Sequence, residues 1–452
     1  MAPAPQPSSG SSGSGGPRGA SSFEPVLTRN VNNPEVLTLR GYRQTGGYEA
    51  LARTLEMEPD AVTDEVKKSG LRGRGGAGFP TGLKWSFIPK GSDQPKYLVC
   101  NADESEPGTF KDRLLMEKDP HQLIEGCAIC CYAVRAHVCY IYIRGEYTHV
   151  TAVMERALRE AYEQGILGDS VLGSGFKLDI WMHRGAGAYI CGEETGMLES
   201  LEGKRGQPRV KPPFPALVGA FDCPTVINNV ETLANLPHIV LRGADWFKSI
   251  GTDDRNTGPK LYAVSGHVER PGTYEHPIGI SFDDLLAAAG GMYKGGRLKA
   301  YIPGGASAAI LTADQSHLAL DFDTMTKAGS MLGSAAVMVL DDETCMVRSV
   351  ARLAKFFNHE SCGQCTPCRE GTNWMELLLT RIEHGAGRDS DGKLLLSICK
   401  NVAGNSLCAL GDAAAAPVES LVRKFQDEID QHIRGRACPF PRRRHFADGG
   451  GT

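Results

Sequence analysis

No stretch of this chain approaches 18 consecutive apolar residues, so no part of it is built to cross a bilayer as a helix. A strong excess of one charge is also missing. Its 49 basic and 53 acidic residues leave a net −4, where a nucleic-acid binder would carry a strongly basic domain. Aromatics are sparse at 7%, and 14 cysteines in 452 residues are too few for a small secreted disulfide scaffold. The amino terminus lacks the charged segment and apolar core of a secretory signal, so the thiols read as reduced or as metal ligands. Glycine is what the chain has in quantity, 54 residues alongside 26 prolines, and that points to loops lined by backbone. The length allows about three domains.

Residues 1–22 are almost all Pro, Ser, Gly and Ala and read as a disordered tail. From there to about 255 the pattern alternates. A helix from Glu58 to Lys68 runs into the glycine-rich loop Gly70–Gly82. Strands are expected at Tyr97–Cys100, His137–Ile143 and Phe176–Met182, with helices over Pro120–Val134 and Thr148–Glu163. Such alternation predicts an α/β domain with a mostly parallel sheet, whose ligands sit beyond the carboxyl ends of the strands. The loops Asn101–Glu106 and Arg184–Glu194 both follow strands. Residues 256–343 read as a small β-grasp-like (ubiquitin-like) domain with one helix, Phe282–Ala289. Residues 344–441 read as a helical bundle, with helices Met346–Glu360, Glu370–His384, Leu394–Val402 and Pro417–His432. The segment 442–452, with its Arg442–Arg444 run, reads as a solvated tail.

Three features carry chemistry. Cys362, Cys365 and Cys368 stand three residues apart, so three thiolates can converge in one compact loop and hold three corners of a [4Fe–4S] cubane. Structural zinc favours separated pairs of ligands. The fourth thiolate must come from further along the chain, and Cys408, Cys399 and Cys438 are the candidates. The second feature is the glycine loop, where Gly73, Gly75 and Gly78 spell G-x-G-x-x-G. A helix precedes it where a dinucleotide fingerprint would follow a strand, yet glycines still let backbone N–H groups approach a phosphate or a flat ring. Arg72, Arg74 and Lys84 are placed to add charge there. The third is Gly185–Thr195, glycines and Tyr189 ahead of a helix that runs to about Leu201, a seat for a flavin or nucleotide. Glu193 and Glu194 also suit the positive end of that helix. Cys127, Cys130 and Cys131 fit no cluster spacing and read as buried helix thiols.

The runs GLRGRGGAGFPTGLKWSF, NADESEPGTFKDRLLMEKDPH, GAGAYICGEETGMLESLEGKRGQPRVKPPFPA, INNVETLAN and ESCGQCTPCREG closely resemble the NADH-binding, FMN-containing flavoprotein subunits (the F or 51 kDa type) of respiratory complex I. The resemblance extends from about Gly41 to about Pro441. It implies an FMN domain, a ubiquitin-type insertion and a bundle holding one [4Fe–4S] cluster. It further implies that Gly73, Gly75, Lys84, Asn101, Asp103, Glu104, Tyr189, Gly192, Glu193, Ile227, Asn228, Asn229 and Thr232 cradle FMN. Phe79 and Phe214 would stack on the adenine of NADH, and Phe87, Glu106, Glu194 and Lys211 would line the rest of that cleft. The cluster ligands would be Cys362, Cys365, Cys368 and Cys408.

The activity this implies is NADH dehydrogenation by hydride transfer to FMN, then single electrons to the [4Fe–4S] cluster. FMN belongs between a two-electron donor and a one-electron acceptor, and no catalytic side chain is required. Quinone reduction and proton translocation would fall to other subunits. The implied partners are a thioredoxin-like [2Fe–2S] subunit and a large multi-cluster subunit, with no nucleic acid. The expected location is the cytoplasmic face of the bacterial inner membrane, peripheral through partners, or alternatively the mitochondrial matrix. A diaphorase subunit of a soluble NAD-linked hydrogenase or formate dehydrogenase is the competing enzyme. Those relatives often carry extra thioredoxin-like or ferredoxin-like cysteine sets, which this chain lacks.

Overall fold

The computed structural model describes residues 23–440, and the two expected tails, 1–22 and 442–452, lie outside them. Four strands, β1 (Tyr97–Ala102), β2 (Val138–Ile143), β3 (Asp179–Arg184) and β4 (Thr225–Asn229), form an all-parallel sheet in the order β3-β2-β1-β4. Alternate residues serve two different cores. Leu98, Cys100, Cys139, Ile141, Ile180 and Val226 pack on one face, and Val99, Tyr142 and Ile227 on the other. A parallel sheet is apolar on both sides because both are covered. The Pro120–Val134 and Thr148–Glu163 helices cover the first face. The Glu194–Leu201 helix and the carboxyl-terminal bundle share the core on the second.

Two strand expectations shift. β3 begins at Asp179, three residues later than expected, because Leu178 pairs with Gly168 across a local turn and is not free to join the sheet. β1 continues past Cys100, since Asn101 and Ala102 stay in register with Tyr142 and Ile143. β4 had no clear signal in its short Thr-Val-Ile-Asn-Asn stretch. It matters most for the site: the chain builds β2 and β3 outward on one side of β1, then returns to place β4 on the other. The strand order therefore reverses between β1 and β4, and the crevice beyond their carboxyl ends is where such sheets bind ligands.

The second sheet is mixed, with order β6-β5-β9-β7-β8 for β5 (Pro259–Gly266), β6 (Gly272–Pro277), β7 (Leu298–Ile302), β8 (Leu311–Thr312) and β9 (Ala336–Asp341). Only β5 and β9 run parallel. Phe282, which opens the Phe282–Ala288 helix, stacks on Tyr301 with ring centroids 3.9 Å apart.

Five helices close the described residues: Met346–Glu360, Thr366–Glu383, Asp391–Val402, Leu410–Lys424 and Gln426–Gly435. The single helix expected over 417–432 is two. Pro417 is interior to the first of them, not its start. The four alanines at 413–416, the best helix formers, carry the helix into the proline, and the break comes at Phe425, whose φ of −132° leaves the helical region.

Candidate functional site

A cavity of about 520 Å³ occupies the crevice between β1 and β4, within the size range of cofactor sites. Its floor is the glycine loop, Gly75, Gly76 and Ala77. Gly75 approaches β4 so closely that a Cβ there would come within 2.9 Å of the Asn229 side chain. The loop is pinned from behind. The Arg74 amide donates to Thr232 Oγ1 at 2.8 Å, and the Gly73 amide donates to the Phe79 carbonyl at 2.9 Å. The loop arginines do not supply charge to the cavity. Arg72 donates to the Gly78 carbonyl at 2.6 Å and lies over the Phe322 ring, while buried Arg74 donates to the Thr257 carbonyl. Both serve the loop itself.

The loop after β1 supplies buried acceptors. Asp103 is pushed up to about 7 by burial, which outweighs the hydrogen bond from Ser105 Oγ at 3.0 Å. Burial also raises Glu104. Its carboxylate accepts from the Asp112 and Arg113 amides at 2.7 and 2.9 Å, so it caps the Lys111–Lys118 helix. Asn101 Nδ2 donates to the Gly192 carbonyl at 2.9 Å, joining the carboxyl end of β1 to the loop that follows β3. Tyr189 donates to Glu106 at 2.7 Å, and Glu106 also accepts from the Ser307 amide and hydroxyl, each at 2.7 Å. Glu106 thereby clamps the α/β domain to the mixed-sheet domain across the cavity wall.

Gly75, Asn101, Asp103, Glu104, Glu106, Tyr189, Gly192, Glu193 and Asn229 all line this cavity. Gly73 and Thr232 stand behind it. Ile227 is buried in the second-face core, and Asn228 Oδ1 accepts from Trp85 Nε1 at 2.8 Å. Lys111 and Asp112 line the cavity too, although sequence reasoning gave them no role. Fully buried Lys111 pairs with Asp112 at 2.7 Å and with Glu231 at 2.9 Å, and Glu231 pairs with Lys260 at 2.6 Å. The signal was present, since Lys111 and Asp112 lie in the run NADESEPGTFKDRLL, but nothing local ties them to Glu231 or Lys260.

The two adjacent glutamates divide their work. Glu193 is the N-cap of the Glu194–Leu201 helix and accepts from the Thr195 and Gly196 amides at 2.8 Å. Glu194 instead accepts from Lys84 at 3.1 Å and Lys211 at 3.0 Å. Burial pushes the Glu194 carboxyl up, but the two ammonium groups outweigh it and hold the group below its ordinary range. Phe79, Phe87 and Phe214 are 46%, 51% and 57% exposed. Phe79 and Phe87 lie with ring centroids 6.3 Å apart.

Cys362, Cys365, Cys368 and Cys408 surround a second, small cavity together with Ile190, Pro208 and Leu410. Cys399 is elsewhere, its Sγ 3.7 Å from Met375 Sδ. Cys438 is also elsewhere, 3.6 Å from Cys345. The donor set at this cavity is therefore four thiols, with no imidazole or carboxylate lining it. Ile190, Cys408 and Leu410 line both cavities, so one wall separates them. Cys127, Cys130 and Cys131 are buried in the first-face core.

Comparison with known proteins matches three parts of the chain to family models. Residues 66–238 match the Nuo51 FMN-binding domain, 261–310 the SLBB domain, and 348–432 the NADH-ubiquinone oxidoreductase-F iron-sulfur binding region. The chain is 57% identical over 420 residues to the second F-type subunit of NADH-quinone oxidoreductase of Rhizobium meliloti, covering 92% of this chain and 100% of that one. It is 53% identical over 416 residues to the F-type subunit of NADH-quinone oxidoreductase of Streptomyces coelicolor, covering 92% of each. Among solved structures, it is similar to an NAD+-reducing [NiFe]-hydrogenase in the H2-reduced state. There the TM-score is 0.79 at 37% identity, covering 92% of this chain and 67% of that one.

Proposed function

The chain belongs to the family of F-type subunits of NADH-quinone oxidoreductases, and on that premise we infer how its residues divide the work of oxidising NADH. The family's activity is flavin-dependent NADH dehydrogenation with FMN and a [4Fe–4S] cluster. FMN, when bound, takes two electrons together as hydride and passes them on singly, which no side chain here can do. The observation that carries the reading is the shared wall. Ile190, Cys408 and Leu410 face the large cavity on one side and the four thiols on the other, so the two cofactors would sit back to back.

The large cavity suits a flat, hydroxyl-rich, phosphorylated group. Glycine backbone forms its floor, and the Asp103 carboxyl and Asn101 side chain offer hydrogen bonds to hydroxyls. Gly75, Asn101, Asp103, Glu104, Tyr189, Gly192, Glu193 and Asn229 would hold FMN. Gly73, Lys84, Ile227, Asn228 and Thr232 would support them. Glu106, Glu194 and Lys211, with the open rings of Phe79, Phe87 and Phe214, would take NADH and exclude water over it. The smaller cavity suits an all-sulfur cubane, with Cys362, Cys365, Cys368 and Cys408 as its ligands.

Among the described residues, no helix is long and apolar enough to cross a membrane. The chain is a subunit of complex I or of a related assembly. A thioredoxin-like [2Fe–2S] subunit and a large multi-cluster subunit would receive the electrons, at the cytoplasmic face of the bacterial inner membrane. The hydrogenase diaphorase is the second reading, favoured by the likeness in structure. Identity of 57% to the quinone-linked relative against 37% to the hydrogenase chain supports the first. The test is NADH-driven ferricyanide reduction by the purified protein. Removing FMN should abolish it and adding FMN should restore it; activity that survives complete flavin loss would overturn the assignment.

A further inference from the structure

We propose that Cys345, Glu383, His432 and Cys438 form a second metal site, a four-coordinate zinc centre distinct from the four-thiol cavity. The two lie at opposite ends of one helix. Cys345 caps the amino terminus of Met346–Glu360, and Cys362 follows its carboxyl terminus. Fifteen residues at about 1.5 Å each put them about 22 Å apart.

Geometry carries the proposal. Cys345 Sγ lies 3.6 Å from Cys438 Sγ, 3.3 Å from His432 Nε2 and 3.7 Å from Glu383 Oε2. His432 Nε2 lies 3.4 Å from Glu383 Oε2, and all four ligand atoms fall within 4.8 Å of one another. Zinc bonds of about 2.3 Å to sulfur and about 2.0 Å to nitrogen or oxygen, set at tetrahedral angles, require ligand–ligand separations of about 3.3–3.8 Å. The four distances fall on that range. Four side chains from four separate segments have converged, and four of their six ligand–ligand separations already have the values of a zinc tetrahedron.

The surroundings orient the ligands as a metal needs. His432 Nδ1 is 2.6 Å from the Glu428 carbonyl. A carbonyl can only accept, so Nδ1 carries the proton and Nε2 turns its lone pair to the centre. Arg348 Nη2 donates to Cys438 Sγ at 2.9 Å, its Nε donates to Glu383 Oε1 at 2.7 Å, and its backbone amide donates to Cys345 Sγ at 3.3 Å. Two thiolates, one carboxylate and Zn²⁺ sum to −1, and the Arg348 guanidinium balances it. The chemistry of the set selects the ion. Mixed sulfur, nitrogen and oxygen donors suit zinc, whereas a cubane takes thiolates and magnesium or calcium takes oxygens. With all four positions filled by protein, the site is structural. It ties the start of one helix, the end of a second, the last helix and the segment beyond it into one unit.

The test uses the full chain, purified with its flavin and cluster and dialysed against a weak chelator. Plasma mass spectrometry should find about one zinc per chain beside the cluster iron. Cys438→Ser and His432→Gln should each lose the zinc while iron and FMN content stay at wild-type levels. Zinc K-edge absorption on the wild type decides the matter even if the variants do not fold, and should show two sulfur neighbours at about 2.3 Å and two lighter ones. Absence of zinc in the wild type would overturn the site. So would an all-sulfur shell, which would put the zinc in the cluster cavity, or a Cys345–Cys438 disulfide in peptides alkylated without reduction.

Discussion

Lys84 reaches from the short Thr81–Trp85 helix behind the glycine loop to donate to Glu194 at 3.1 Å. Lys211 donates to the same carboxylate from the other side, so one half-buried acid holds two lysines at the mouth of the proposed NADH cleft. Because Glu193 does the capping, Glu194 is left to answer to the ligand. Glu194→Gln removes a negative charge that would face the 2′-phosphate of NADPH and releases Lys84 toward it, while Lys211 keeps its pairing with Glu193 at 3.3 Å. Both effects have the same sign. The expected outcome is a rise of about tenfold or more in the ratio of kcat/KM for NADPH over NADH, about 1.4 kcal/mol. Steady-state ferricyanide assays with both nucleotides measure it, and an unchanged ratio rejects the role.

Cys408 stands on the wall between the two cavities, and Cys399 is packed against Met375. Cys408→Ala should lose or degrade the four-iron cluster, whereas Cys399→Ala should keep it. Iron quantitation and electron paramagnetic resonance of the reduced variants check this. An intact four-iron signal in Cys408→Ala would contradict the ligand assignment.

Asp103 gives the flavin-free protein a pH dependence. Its folded value of about 7 lies above the ordinary 3.8. Between those two values the native state holds a proton that the unfolded chain has released, so stability is fully present at low pH and falls as pH rises toward 7. Asp103→Asn removes that contribution and keeps an acceptor for Ser105. The variant should lose less stability than wild type between pH 5 and pH 8, by an amount on the order of a few kcal/mol. Thermal unfolding of the FMN-depleted proteins at both pH values measures it. Parallel losses in the two proteins would contradict the burial argument.

Helices were legible where apolar periodicity was strong, as at 148–163 and 346–360, which lie where that periodicity placed them. Pro417 shows the limit. A proline signals a helix start, but four preceding alanines outweigh it. β4 has only two apolar residues in a row, Val226 and Ile227, and its place beside β1 depends on a crossover that no local pattern encodes. At the site, the glycine loop and the three-residue cysteine spacing are local and could be seen. The Lys111–Glu231–Lys260 network and the Cys345, Glu383, His432 and Cys438 convergence join residues far apart in the chain, so only folding brings them together. Arg72 and Arg74 misled for a related reason. Composition placed charge near a phosphate loop, but the Arg72 guanidinium serves the loop's own Gly78 carbonyl and the Phe322 ring, and that of Arg74 ties the loop to the Thr257 carbonyl.

In the proposed arrangement, electrons would pass from NADH through a flavin in the β1–β4 crevice to a cluster behind Ile190 and Cys408. Anaerobic titration with NADH, followed by electron paramagnetic resonance of the cluster, tests it most directly. The reduced [4Fe–4S] signal should grow with NADH in the FMN-loaded protein. In the FMN-depleted protein it should stay absent until dithionite is added. A cluster that NADH reduces without FMN, or one that dithionite but not NADH reduces in the loaded protein, would contradict the account.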